Sequence, residues 1–547
     1  MKEWWKSGTP WIWLTAASVT ISIVVVVGLL ALIAVRGLGH FWPTPIMEAQ
    51  YLESNRQPVN LIGEIHEEVT VPAARIVGYS TTDKFVTRYL LKTGNRDLVG
   101  LDFRWILKPQ LQEPRYPQDL VAIERREWGN FYGYLQGVKE NGQMVSEGEL
   151  AWPQAQQYLA QASEIYEKID AIKKWDIGKI NYALEQLRLQ QRKLELNQVT
   201  DAVQQAEIAE EKLTLEAQFE VLGQQLTELY QQVNRYSVNI KVMDGRLIDI
   251  PLAKIVRMYQ PNAMSLWEKI GFYGAKIKEF LMEEPREANT EGGIFPAIFG
   301  TIMMVIIMSV IITPFGIVAA VYLHEYAKQG LLTRTIRIAV NNLAGVPSIV
   351  YGVFGLGFFV YFIGGTIDQL FFPESLPAPT FGTGGIFWAA LTLSLLTLPV
   401  VIVSTEEGLS RIPSSIREGS LALGATKAET LWRTVLPIAS PAMMTGLILA
   451  IARAAGEVAP LMLVGVVKLA PSLAADTNYP FIHLERKFMH LGFHIYDVGF
   501  QSPNVEAARP LVYATSFLLV TVIIILNLTA IWIRNHLREK YKALETT

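Results

Sequence analysis

The sequence contains no cysteine among its 547 residues. Disulfides, thiolate metal sites, iron–sulfur clusters and a cysteine nucleophile are therefore excluded. The absence of cysteine does not identify the cellular compartment, because disulfides are permitted outside the cytoplasm but never required there. The sequence also lacks a G-x-x-x-x-G-K-[ST] phosphate loop and a G-x-S-x-G nucleophile turn. A net charge of −3, from 48 basic and 51 acidic residues, provides no global basic field for binding nucleic acid.

Long apolar segments without charge are abundant instead. Hydrophobic residues make up 50% of the chain and charged residues 18%, a mixture that indicates separate membrane and aqueous parts. About 20 apolar helical residues cross a hydrocarbon core of about 30 Å. We therefore predict a polytopic all-α membrane protein with six transmembrane helices, the first of which is not a cleaved signal peptide. The predicted spans are Ile12–Val35, Ile294–Leu323, Ile338–Ile367, Ser375–Thr405, Thr434–Val467 and Pro510–Ile533.

The distribution of basic residues predicts the orientation of these spans. Most lysines and arginines of the short loops and termini fall on one side of the membrane, namely Lys2, Lys6, Lys328, Arg334, Arg337, Arg411, Arg417, Lys427, Arg433, Arg534, Arg538, Lys540 and Lys542. The positive-inside rule places both termini in the cytoplasm of a bacterial inner membrane. We predict four parts: residues 1–36 with the first span, a periplasmic insertion at 37–293, a five-helix core at 294–533 and a basic cytoplasmic tail at 534–547.

The insertion changes character along its length. Between Asn60 and Lys108, β-branched runs separated by glycines predict short antiparallel strands, and strand-like sequence returns at 237–250. From about 154 to 235 the composition is helical, and apolar residues recur at steps of three and four, as in a coiled coil. One continuous helix of this length would reach about 120 Å. We favour a hairpin that turns near Asn197–Thr200, and a solvated arm over a docking or sensing element.

The loop between the fourth and fifth spans, residues 408–440, is predicted to form two short cytoplasmic helices. Ser415 with Glu418 and Thr426 with Glu429 each fit the S/T-x-x-E capping box that begins a helix. Each box is predicted to begin one of the two helices.

Two residues are predicted to end these helices. Gly424 stands where the first helix needs a residue that tolerates positive φ, and Pro437 limits the second. The loop is also more apolar than a bare cytoplasmic loop, which indicates that it docks on another protein. The residues concerned are Leu421, Leu423, Leu431, Trp432 and Val435.

This loop resembles the E-A-A-x3-G-x9-I-x-L-P loop of ABC-importer permeases. The matching residues are Glu418, Gly424, Leu436 and Pro437. In that family the loop forms coupling helices that sit in a groove of the ATP-hydrolysing subunit, so the resemblance implies the same role here. The departures from the family pattern are Gly419 and Ser420 for the two alanines and Thr434 for the isoleucine.

Three further stretches are similar to phosphate-specific permeases of the PstA type: Gly292–Pro296, Leu343–Gly352 and Arg453–Pro460. The resemblance covers the first span and about residues 292–547, and it implies the type I permease fold and a subunit of an ATP-driven phosphate importer. It implies as partners a second homologous permease, a dimer of ATP-binding subunits, a periplasmic phosphate-binding protein and membrane lipid. ATP hydrolysis would occur on a partner, so we expect no catalytic residue and no cofactor in this chain.

The fifth predicted span contains Arg453 and Glu457. Insertion of an arginine near the bilayer centre alone costs a free energy of about 2.5 to 3.5 kcal/mol. Their i, i+4 spacing predicts a pair on one helix face. The pair is either a salt bridge that holds the span against its neighbours or part of the translocation path. In the path, Arg453 would offer a guanidinium fork to an oxyanion while Glu457 competes for it, so that the site can release its cargo. The resemblance favours the path.

His490 and His494 stand at i, i+4 between the fifth and sixth spans, but no third ligand of clear spacing accompanies them, so we expect no metal site. Two alternative functions stay open. The chain could be a permease for another oxyanion, such as molybdate or sulfate, because an arginine does not by itself select phosphate. It could also be a membrane signalling receptor with a periplasmic sensor domain, although receptors usually place a long transmitter coil inside the cell.

Overall fold

The computed structural model describes residues 7–52, 58–76, 79, 81–198, 202–502 and 505–545. Lys2 and Lys6, and residues 199 and 200 of the predicted hairpin turn, lie outside these ranges. The chain forms two compact units, one made of Met1–His40 with Ile294–Thr547 and the other of Phe41–Gly293. We call them the membrane unit and the inserted unit.

The inserted unit contains antiparallel β-sheets and helices. Its strands are β1 (Ile46–Tyr51), β2 (Val59–Pro72), β3 (Phe85–Lys92), β4 (Phe103–Leu107), β5 (Leu111–Arg115), β6 (Leu120–Arg125), β7 (Asn130–Glu140), β8 (Gln143–Glu147), β9 (Tyr236–Lys241), β10 (Leu247–Pro251), β11 (Ile255–Tyr259), β12 (Pro285–Arg286) and β13 (Glu291–Gly292). One sheet has the order β4-β3-β2-β1-β5, a second has the order β10-β9-β7-β6-β11 with β8 beside β7, and β12 pairs with β13. Its helices are α1 (Arg96–Val99), α2 (Ala151–Ala171), α3 (Ile177–Leu196), α4 (Ala202–Val233) and α5 (Leu266–Met282).

Strand β6 lies at the centre of the inserted unit, and all of its residues are buried. Val121 and Ile123 pack in the same core cluster as Leu159 of α2, whereas Leu120 and Ala122 pack on the other side of the sheet. A strand covered on both faces has no alternation of apolar and polar residues. Strand β6 was not predicted for this reason.

Two helical arms extend from the inserted unit. Helices α2 and α3 are joined through the π-helical turn Ile172–Asp176 into one arm, and α4 is the other. Residues 176–180 of the first arm line a groove together with residues 210–222 of the second, so the arms run antiparallel. A coiled-coil seam between them stays a prediction.

Within the described ranges the membrane unit has six helices long and apolar enough to cross a membrane, which agrees with the predicted polytopic helical architecture. These spans one to six are Thr9–Gly39, Phe295–Tyr326, Ser348–Phe371, Ile386–Ser410, Lys427–Gly456 and Ala508–Glu539. Shorter helices between them are α6 (Leu331–Leu343), α7 (Ser414–Ala422), α8 (Leu461–Val464) and α9 (Leu491–Tyr496). Span four is central, because Ala389 and Leu393 pack in one core cluster with Met304 of span two and Ala454 of span five.

Three predicted span ends were wrong, each next to a proline or glycine. Span three begins at Ser348, not Ile338, because Pro347 has an extended ψ of 134° and separates it from α6. Span four begins at Ile386, not Ser375, after a glycine- and proline-rich segment that ends in extended Gly385. Span five ends at Gly456 instead of Val467.

Spans one and six lie side by side, although they come from opposite ends of the membrane unit. A Cβ atom on Gly37 would stand 2.7 Å from the backbone nitrogen of Ala514, so only glycine permits this approach. The guanidinium of Arg36 lies 5.7 Å from the centre of the Tyr513 ring. Span one is therefore held by packing at its C-terminal end.

Candidate functional site

The cytoplasmic loop predicted at 408–440 begins with helix α7. Pro413 is its N-cap residue, with φ −56° and ψ 143°, and no side chain caps the helix. The capping box predicted for Ser415 and Glu418 is therefore wrong. Proline fixes φ near the helical value and has no amide hydrogen to satisfy, so it begins the helix without help from a serine. Glu418 is exposed on α7.

Gly424 ends α7 as predicted, in the left-handed region at φ +90°. Its amide donates to the carbonyl of Leu421 at 3.0 Å, and the amide of Ala425 donates to the carbonyl of Ser420 at 3.3 Å. These are the two hydrogen bonds of a Schellman motif, which satisfies carbonyls that the helix end leaves free. The chain direction after α7 is thus set at one glycine.

The second predicted capping box is present. The Thr426 side chain accepts from the amide of Glu429, and the Glu429 carboxylate accepts from the amide of Thr426 at 2.9 Å. The helix that starts here is not limited by Pro437, and this prediction was wrong. The π-helical turn Leu431–Val435 precedes the proline, and the helix continues without a break into span five. A π turn changes the local hydrogen-bond pattern, which lets a helix accommodate the amide that proline lacks.

The apolar residues of the loop divide into a buried and an exposed set. Leu431 and Val435 pack in a core cluster with Leu409. Leu423 is 91% exposed and Trp432 is 76% exposed. Leu421 is exposed beside them, and we call Leu421, Leu423 and Trp432 the apolar face of the loop. Large exposed apolar side chains on a loop with its own buried core indicate a surface for another protein.

An anchor that the sequence did not reveal holds this loop against span two. The guanidinium of Arg417 lies 3.0 Å from the carboxylate of Glu325, whose side chain is only 10% exposed. Arg417 also donates to the carbonyls of Ile412 at 2.7 Å and Leu409 at 2.8 Å. Lys427 donates to the carbonyl of Glu325. The one sign of this contact in the sequence was an acidic residue, Glu325, at the end of the apolar run of span two.

Arg453 and Glu457 form an ion pair, with 3.6 Å between Nε and Oε1. That distance is too long for a hydrogen bond. Span five ends at Gly456, and Glu457 is extended with ψ 138°, so the two residues do not share one helix face as predicted. Arg453 stands in the last turn, where the helix dipole favours a cation. The loose pairing leaves guanidinium donors for an anion, but the role of the pair in transport stays a prediction.

His490 and His494 lie at opposite ends of one helical turn, and both are buried. His490 is the N-cap residue of α9, where its Nδ1 accepts from the amide of Gly492 at 3.1 Å. Burial lowers the pKa of His490 to about 3. Within the described ranges no group of three metal-binding side chains is found.

Comparison with known proteins shows what the membrane unit is similar to. Residues 312–543 match the model for the binding-protein-dependent transport system inner membrane component. Over 175 residues, 32% of this chain and 52% of the other, the sequence is 40% identical to the phosphate transport system permease protein PstA 1 of Mycobacterium tuberculosis (strain CDC 1551 / Oshkosh). Over 199 residues, 36% of this chain and 60% of the other, it is 39% identical to the phosphate transport system permease protein PstA of Mycobacterium leprae (strain TN).

A probable ABC transporter permease protein of Bacillus subtilis (strain 168), YqgI, is 29% identical over 272 residues, which are 48% of this chain and 85% of that protein. The matched segment thus spans about half to three fifths of the length of the two mycobacterial relatives. Among solved structures, an inward-facing MetNI methionine ABC transporter has 18% identity and a TM-score of 0.33, covering 44% of this chain and 94% of the other. Residues 312–543 are therefore similar to binding-protein-dependent transport system inner membrane components, and within the membrane unit the sequence is most alike to permeases named PstA among the relatives given above.

Proposed function

We propose that this chain is the permease subunit of an ATP-driven importer of inorganic phosphate and forms half of its translocation path. The observation that carries the proposal is the apolar face of the loop, Leu421, Leu423 and Trp432. It is presented to solvent by a rigid helix–glycine–helix whose other apolar residues are buried. An exposed face on an anchored loop is suited to receive force from a separate motor, and this chain has no phosphate loop of its own.

The path of that force follows one helix. Lys427 begins the helix on the loop, and the same helix continues to Gly456, so Arg453 lies about 39 Å from its start at 1.5 Å per residue. Movement of the loop is thereby delivered to the far end of span five. Because Arg417 ties α7 to Glu325, span two moves with the same loop. Two spans driven together would alternate access by rocking of helices.

Arg453 would bind the cargo. A guanidinium offers a fork of donors that fits a tetrahedral oxyanion, and Glu457 at 3.6 Å competes for the same group. Competition keeps binding weak enough for release, which every conducting path requires. The relatives named for phosphate transport make phosphate the proposed oxyanion.

The proposed assembly contains a second homologous permease, two ATP-binding subunits and a periplasmic phosphate-binding protein, so ATP is hydrolysed outside this chain. In this arrangement both termini are cytoplasmic and the insertion, residues 37–293, is periplasmic. The positive-inside distribution of lysine and arginine supports that topology.

Cross-linking tests the motor contact. Because the chain has no cysteine, Ala425→Cys introduces a single thiol beside Gly424, and Gly223→Cys on α4 provides a matched control in the inserted unit. In native membranes we expect a thiol-directed cross-linker to join Ala425→Cys, but not Gly223→Cys, to an ATP-hydrolysing subunit. If neither position captures such a subunit, the importer assignment fails.

Competition uptake tests the substrate. Proteoliposomes with the full complex should import radiolabelled phosphate, and excess sulfate or molybdate should leave that import unchanged. Import of radiolabelled sulfate or molybdate, with no import of phosphate, would assign the permease to another oxyanion.

A further inference from the structure

Helix α5 of the inserted unit exposes apolar residues along one face. Trp267 is 79% exposed and Met282 is 66% exposed, and Ile270 is exposed between them. The rest of that face is formed by Gly271, Gly274, Ala275 and Lys278. These positions recur at steps of three and four, so they form one continuous stripe along the helix. A single exposed apolar residue is ordinary, but a whole helix face of them is not.

Two charged residues of α5, Lys276 and Glu279, point the other way, into the protein. Glu279 has a side chain only 3% exposed, and its carboxylate lies 3.1 Å from Lys276 and 3.3 Å from Arg257. Lys276 also donates to the buried Glu124 at 3.0 Å. A helix in water buries its apolar face and exposes its charges. In α5 the exposed stripe is mostly apolar while Lys276 and Glu279 are directed inward, so this outer face is suited to contact with an apolar surface.

The covalent chain keeps α5 close to membrane-spanning sequence. The Phe280 ring lies 4.9 Å from that of Phe41, and the Tyr273 ring lies 5.8 Å from that of Trp42. Phe41 follows the end of span one, Gly39, by two residues. Two residues of extended chain span at most about 7 Å, so Phe41, against which α5 packs, stays close to the bilayer surface.

We propose that the apolar stripe of α5 lies on the lipid bilayer, at the boundary between headgroups and acyl chains. An exposed tryptophan next to large aliphatic residues is the composition of helices at that boundary. Lys278 lies within the stripe, and its long side chain reaches outward to lipid phosphates while its methylenes stay among apolar groups. The partner of this surface is therefore a phospholipid membrane.

Spin labelling of the full-length chain tests this proposal with three matched variants. Gly274→Cys probes the stripe, Gly28→Cys probes lipid within span one, and Gly223→Cys probes water on the helical arm. Each glycine is helical, and no heavy atom lies within 4 Å of the position of its added Cβ atom. The native chain has no competing thiol. Each variant carries a nitroxide in vesicles of phosphatidylethanolamine and phosphatidylglycerol, and power saturation compares collisions with oxygen and with a water-soluble nickel chelate.

We expect the label at position 274 to lie between those at 28 and 223, with oxygen collisions at least threefold more effective, relative to nickel collisions, than at 223. A nickel accessibility at 274 equal to that at 223 would show a water-facing helix and overturn the proposal. Low accessibility to both reagents, with an immobilised spectrum, would show that a protein covers the stripe and would also overturn it. Repeating the measurement at Gly271→Cys, which has equally open surroundings, guards against a local effect of one substitution.

Discussion

The carboxylate of Glu325 and the guanidinium of Arg417 meet at 3.0 Å although the two residues are 92 positions apart in the sequence. The contact joins the end of span two to the first turn of α7, and Arg417 also bonds the backbone at the end of span four. Both side chains are largely buried, so loss of one partner leaves an uncompensated charge. The orientation of the apolar face thus depends on a residue outside the loop.

Glu325→Gln should uncouple the loop. Breaking a buried pair costs about 3 to 5 kcal/mol, whereas an exposed pair contributes about 0 to 1 kcal/mol. The matched control is Glu407→Gln, because Glu407 pairs with Arg411 at 3.9 Å and is 64% exposed. We expect Glu325→Gln to lower phosphate-stimulated ATPase activity of the reconstituted complex at least tenfold and Glu407→Gln to leave it within twofold. Equal behaviour of the two variants would remove Glu325 from the coupling path.

Gly424→Ala should impair coupling through backbone strain alone. A left-handed φ of +90° costs a residue with a Cβ atom about 1 to 2 kcal/mol, and no neighbouring atom obstructs the methyl group. Gly419→Ala is the control within the same loop, because Gly419 is helical and alanine there should stabilise α7 by about 0.5 to 1 kcal/mol. Coupled ATPase activity should fall for the first variant only. A Gly424→Ala complex as active as Gly419→Ala would contradict the role of the turn.

Arg453→Gln should abolish phosphate uptake while the complex still assembles. Span five is held by core residues such as Ala454, which the substitution does not touch, and the arginine pairs only loosely with Glu457. Arg453→Lys keeps the charge but loses the planar fork, so we expect it to restore less than a tenth of the uptake. Counterflow of labelled phosphate, with co-purification as the assembly check, measures both. Normal uptake by Arg453→Gln would leave the pair with a structural role.

The stability of the protein should depend on pH through His490. Its folded-state pKa of about 3 lies below the ordinary value near 6.5, so between these values only the unfolded chain binds the proton, and stability falls as pH drops through this window. At pH 5 the loss amounts to about 2 kcal/mol relative to pH 7.5. His490→Asn keeps a side-chain oxygen for the amide of Gly492 and removes the titration. Thermal melts in detergent at both pH values should show a smaller difference for the variant, and equal differences would refute this assignment.

The sequence predicted the membrane unit through properties that act locally. Apolar run length identified all six spans because each span has to match the thickness of a bilayer. Ends at Pro347 and Gly456 were missed, since an apolar run can continue past the residue that breaks the helix. At Pro437 the helix was predicted to end but continues, because the π turn before the proline accommodates the amide hydrogen that proline lacks.

The candidate site was predictable only in part for a related reason. Gly424 and the box at Thr426 follow local rules of helix ends, and both occur as expected. The pairing of Glu325 with Arg417 depends on two helices that meet in space, and no short-range pattern connects them. Strand β6, buried on both faces, has no alternating pattern either, so its place in the sheet becomes visible only from its neighbours.

The close approach of Gly37 to Ala514 has a consequence for biogenesis. Span one is translated more than 450 residues before its packing partner, which at about 5 to 20 residues per second is an interval of roughly 25 to 100 s. During that time span one lies in the bilayer without its packing partner while the inserted unit is synthesised. The contact between spans one and six therefore forms only after the inserted unit and the four spans between them have been synthesised.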